Sequence, residues 1–115
     1  MLVDALNAMR SRWPNMPAEQ FVELVEAWAG REGVEAWIVF DGQAPSAPTS
    51  ARVMGTGPSS ADDRIAEEAP RLAAEGRHIW LVSSDRELRG RVAESVERTI
   101  GGGAFAGELL AMRLH

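Results

Sequence analysis

The chain has 115 residues, 45% hydrophobic and 25% charged, with a net charge of -5. These values fit one globular domain spanning residues 1–115 and argue against a protein that coats nucleic acid through a uniformly basic surface. There is no Cys, which excludes disulfides and thiolate zinc sites and leaves a cytoplasmic location as the expectation.

In chain order, MLVD reads as a short strand. The surrounding run MLVDALNAM carries Asp4, has no basic lead-in and is too brief for a signal peptide or a membrane helix, and no membrane segment is expected elsewhere. SRWPNMP is a loop. PAEQFVELVEAWAGREG follows as a helix, because Phe21, Leu24, Val25 and Trp28 recur at helical spacing, with Gly30 or Gly33 as its stop. EAWIVFD is a second strand, GQAPSAPTS a Pro/Ser-rich loop and ARVMG a weak third strand. ADDRIAEEAPRLAAEG has a helical pattern that Pro70 is expected to kink or split. HIWLVSSD is the strongest strand, and DRELRGRVAESVER is a helix with Leu88, Val92, Ser95 and Val96 on one face. After that helix come the flexible Gly101–Gly103 and a short final helix over AFAGELLAMRL.

Alternating strands and helices, with strands apolar almost throughout, imply a parallel α/β sheet covered on both faces. In such sheets the ligand crevice lies beyond the carboxyl ends of the strands. The distribution of acids bears on that edge. Twelve of the 17 acidic residues are Glu, nearly all on helical patterns, whereas the five Asp are Asp4, Asp41 and Asp85, each ending an apolar run, and the adjacent pair Asp62 and Asp63 at a helix start. All five are therefore expected at one crevice.

Each also has a structural reading. Ser60 can cap the helix, with Asp62 and Asp63 favoured by its dipole, and Ser84-x-x-Glu87 around Asp85 is a capping-box pattern. Clustering is harder to explain structurally, because two carboxylates about 4 Å apart repel by about 4 kcal/mol at an effective dielectric near 20. A hard divalent cation, Mg²⁺ or Mn²⁺, relieves that repulsion with oxygen ligands alone. His78 starts a strand at the opposite edge and His115 is the last residue, so neither is an expected ligand.

In the order MLVDALNAM, WIVFDG, SADDRIAE and LVSSDRELR, these segments resemble the signatures of NYN domains in the PIN-like nuclease superfamily, particularly the YacP-like branch. The resemblance implies a Rossmann-like, three-layer α/β/α fold with a mainly parallel central sheet, and metal-dependent cleavage of RNA. By position it implies catalytic Asp4, Asp41, Asp62 and Asp85, with Asp63 joining them as a metal ligand and Asn7 and Ser84 near the substrate. The chain differs where the family often carries Gly-Tyr and Glu-Thr, having Ala5-Leu6 and Ser59-Ser60.

The chemistry expected is hydrolysis of an RNA phosphodiester, with single-stranded RNA as partner and Mg²⁺ or Mn²⁺ as cofactor. All 12 basic residues are Arg, and Arg10, Arg12, Arg52, Arg64, Arg86 and Arg89 are the expected phosphate-contacting rim. Trp13 is a candidate for base stacking, whereas Trp28, Trp37 and Trp80 belong to core patterns. A degenerate PIN-like module that binds RNA or a protein without cutting is the alternative, and a homodimer is among the assemblies the sequence allows. A receiver-like phosphoryl-accepting domain ranks third, because its Lys is missing.

Overall fold

The computed structural model describes residues 1–12, 15–46 and 51–113. Five strands, β1 (Leu2–Asp4), β2 (Trp37–Phe40), β3 (Arg52–Gly55), β4 (Trp80–Val82) and β5 (Arg98–Ile100), form one sheet in the order β3-β2-β1-β4-β5. Every pairing between these strands is parallel, and Val3 stands level with Ile38 and Val82 across the sheet. The chain first steps outward from β1 to β2 and β3, then returns past β1 to place β4 and β5 on its other side. The switch in direction therefore falls between β1 and β4, where a crevice opens beyond the strand ends.

Strand alternation splits the core into two layers. Val3, Ile38, Phe40, Val82 and Ile100 pack under α1 (Ala5–Arg12), α2 (Ala18–Glu32) and α5 (Gly102–Arg113). Leu2, Trp37, Val39 and Leu81 face α3 (Ala61–Ala74) and α4 (Arg86–Arg91). Trp28 is fully buried between Phe105 and Trp80, its ring centroid 5.1 Å from that of Phe105. Among the described residues no helix is long and apolar enough to cross a membrane.

Several elements depart from the sequence expectation. Helix α1 starts directly after Asp4, in a segment to which the sequence reading assigned no helix, and it packs along α5. Gly33, at φ 70°, rather than Gly30 ends α2. Helix α3 continues through Pro70 instead of splitting: Pro70 is exposed, while Ile65, Ala69 and Leu72 anchor the helix on the sheet and outweigh the single main-chain hydrogen bond a proline forgoes. Helix α4 stops at Arg91, and the residues beyond Val96 form a strand, β5, with Ile100 buried. Gly102 and Gly103 are not a flexible linker but the first turn of α5. A Cβ on Gly102 would stand 2.5 Å from Asn7 Oδ1 and 3.3 Å from the Cα of Ala8, so only glycine lets α5 approach α1 this closely.

Candidate active site

Register carries the acids to the crevice. With Val3, Ile38 and Val82 level, Asp4 lies one residue past that line on β1, while Asp41 and Asp85 each lie three residues past it on their own strands. The start of α3 brings Asp62 to the same place. These four carboxylates, with Leu6, Asn7, Arg10 and Ser11 of α1, line one cleft of about 400 Å³.

Asp4 is only 4% exposed and sits deepest. The buried Ser83 hydroxyl donates to Asp4 Oδ2 at 3.1 Å and accepts from the Asp85 N–H at 3.1 Å, so one side chain links the ends of β1 and β4. Asp41 Oδ1 accepts from the Ala61 N–H at 2.9 Å and thereby holds the start of α3. Asp85 Oδ1 accepts from the Leu88 N–H at 3.0 Å and caps α4 in place of Ser84, the cap of the Ser84-x-x-Glu87 pattern, whose hydroxyl is turned to α5 instead. Ser60 caps α3 through the Asp63 N–H at 3.1 Å, which leaves the Asp62 carboxyl free of that duty.

Burial and neighbouring charge raise the proton affinity of two of the acids, Asp4 and Asp62. Burial, reinforced by Asp62 and Asp41, pushes the Asp4 carboxyl up to about 7, against the opposing pull of the Ser83 hydroxyl. Asp62, which shares a hydrogen bond with Asp4, is raised above the usual carboxylate range by burial and by the charge of Asp85. Among the described residues no three acid or His side chains already close on a point able to hold an ion. The match to a cation lies in the donor chemistry: Asp4, Asp41, Asp62 and Asp85 present carboxylate oxygens alone at one cleft, a set suited to a hard divalent ion.

Asn7 and Ser84 form the floor beside the acids. Asn7 Oδ1 accepts from the Ser84 N–H at 2.9 Å, and Ser84 Oγ accepts from the Gly102 N–H at 2.7 Å, tying α1, the end of β4 and α5 together. Arg10 lines the cleft from α1. Arg12 lies one turn-half further on, with its guanidinium beside Gly107 of α5, and Arg86 and Arg89 are exposed on α4 outside the cleft lining.

Three further expected members lie elsewhere. Asp63 points away from the other acids and pairs with Arg91 at 3.0 Å, because neighbouring residues on a helix face different ways. Arg64 is drawn to Glu68 on its own helix at 3.2 Å. Arg52 begins β3 and is therefore at the opposite edge of the sheet, where its guanidinium lies 4.8 Å from the Trp37 ring centre and 3.6 Å from Glu35. Trp13 and His115 lie outside the described residues. Two participants escaped the sequence reading. Ser83 was hidden because a serine inside a strand pattern carries no signal of its partners, and Arg91 because its link to Asp63 crosses between helices.

A five-stranded parallel sheet in this order, covered by helices on both faces, defines a Rossmann-like three-layer α/β/α fold. Among solved structures, the chain is similar to Rae1 (YacP) from Bacillus subtilis, with a TM-score of 0.77 at 17% identity over 98% of this chain and 74% of that one. A single-substitution mutant of the same protein gives a TM-score of 0.79 at 18% identity, covering 98% and 76%. No protein-family model matches the sequence, and comparison with curated proteins gives no match. At these identities the likeness is one of fold.

Proposed function

We propose that the chain is a metal-dependent ribonuclease that hydrolyses phosphodiester bonds of single-stranded RNA. The observation that carries this reading is the meeting of Asp4, Asp41, Asp62 and Asp85 in one cleft at the carboxyl edge of the sheet. The YacP-like fold supports it, and the resemblance of the four sequence segments to NYN domains narrows the substrate to RNA.

In this reading Asp4, Asp41, Asp62 and Asp85 hold Mg²⁺ or Mn²⁺, which supplies water activation and offsets the charge of the phosphodiester. The protein's own groups do the positioning. Ser83 fixes the Asp4 carboxylate while also holding the Asp85 backbone, so the two strand ends cannot drift apart. Asp62, whose carboxyl makes no capping bond, faces the cleft free to contribute its oxygens to that set. Arg10 meets a phosphate oxygen from the α1 wall. Asn7 keeps its Oδ1 on the Ser84 backbone and acts by holding the cleft floor.

The test is a labelled single-stranded RNA of mixed sequence, incubated with the protein in Mg²⁺ or Mn²⁺. The wild type is expected to cut it, and EDTA, Asp4→Asn or Asp62→Asn to reduce the rate by at least about a hundredfold. Binding without cleavage in either metal favours the non-cutting module instead. Cleavage that persists in both variants places the activity outside this cleft.

A further inference from the structure

The adjacent acids Asp62 and Asp63 divide their work. Asp62 faces the cleft, while Asp63 Oδ1 accepts from Arg91 Nη1 at 3.0 Å across the gap between α3 and α4. Both partners are substantially exposed, at 41% and 59% of their side chains, and an exposed pair of this kind adds little to stability. Because Asp63 directly follows the cleft-lining Asp62 on α3, this pairing holds the Arg91 guanidinium beside the cleft. That guanidinium carries five N–H donors, and among the described residues its hydrogen bonding is to Asp63 alone. Arg10 approaches the acids from α1, on one face of the sheet, and Arg91 from α4, on the other.

We infer that Arg91 is a phosphate-binding residue, parked on Asp63 at the rim of the acidic cleft and transferred to a backbone phosphate of the RNA when the strand enters. Asp63 is then not a member of the acid cluster but a competing anion that holds Arg91 in place and keeps it from other phosphates. The inference rests on the proposed ribonuclease reading for its ligand. A strand entering the cleft meets Arg10 in its lining and Arg91 just outside it beside Asp63, and the planar fork of arginine suits phosphate oxygens better than a lysine ammonium does.

Binding of a labelled single-stranded RNA oligonucleotide, followed by fluorescence anisotropy across a series of KCl concentrations, tests this in the uncut background Asp4→Asn. Arg91→Ala is expected to weaken binding at low salt several-fold and to lower the slope of log affinity against log salt by about 0.7, one phosphate contact on a single strand. Arg91→Lys should keep most of the slope. Asp63→Asn should tighten binding when Arg91 is present and do so much less in Asp63→Asn/Arg91→Ala. An unchanged slope in Arg91→Ala, or equal tightening by Asp63→Asn with and without Arg91, overturns the inference even if the wild type cleaves RNA. No cleavage by the wild type together with no RNA binding in the uncut background removes the ribonuclease reading and this inference with it.

Discussion

Consecutive side chains on an α-helix diverge by about 100°, so Asp62 and Asp63 cannot both enter one cleft. The sequence displayed two acids at a helix start, and only this angular rule, applied with the position of the sheet in hand, separates the one beside Asp4 from the one beside Arg91. The capping pattern pointed to Ser84, but the cap of α4 is Asp85, whose Oδ1 accepts from the Leu88 N–H while the residue still lines the cleft. Asp62 has no such second duty. Asp62→Asn is therefore expected to raise the melting temperature of the metal-free protein, because it relieves repulsion without removing a cap. Calorimetry in EDTA measures it, and a loss of stability would contradict the assignment of the cap to Ser60. Asp4 gives a second prediction. It ionises near 3.8 when unfolded and near 7 when folded, so folding favours its protonated form. That stabilisation is complete below about pH 4 and is lost as pH rises through 7. Without divalent cations the melting temperature should fall between about pH 4 and 7, and Asp4→Asn should remove most of that slope.

Helix α1 is the element least visible in the sequence. Its buried side consists of Ala5, Ala8 and Met9, and such small residues give little apolar periodicity, yet they let α5 come close. The partner surface is Gly102, read in isolation as part of a flexible glycine run, whose lack of a side chain makes room for Asn7. Gly102→Ala should accordingly cost about 1–3 kcal/mol, since a Cβ there collides with Asn7 Oδ1 and disturbs the Asn7–Ser84–Gly102 chain. Gly103→Ala is the control: its nearest neighbour would be Ser11 Cβ at 3.9 Å, an ordinary contact, and the substitution should be neutral or stabilise by up to about 1 kcal/mol through helix propensity. Thermal melts of the two variants check the contrast. Strand β5 was equally obscure, because Arg98 and Thr99 are exposed and one buried Ile100 makes no pattern.

At the scale of the whole molecule the strand–helix alternation was legible, and so was the gathering of Asp4, Asp41, Asp62 and Asp85, because a parallel sheet sends every strand's carboxyl end to one edge. The same rule, applied to the first residue of β3, would have sent Arg52 to the other edge. There it shares Glu35 with Arg77, at 3.6 and 2.8 Å, while both guanidiniums cover Trp37. The Glu35 carboxyl is held below its usual range by the Trp37 indole N–H and by these arginines, which marks that edge as a structural ion cluster rather than a second acidic cleft. The claim on which the account turns is that the four cleft aspartates form one cation-holding centre. A crystal soaked in Mn²⁺ tests it most directly: an anomalous peak bounded by Asp4, Asp41, Asp62 and Asp85 is the predicted result. A well-occupied peak elsewhere with none in the cleft, or no peak at all at millimolar Mn²⁺ and neutral pH, would contradict it.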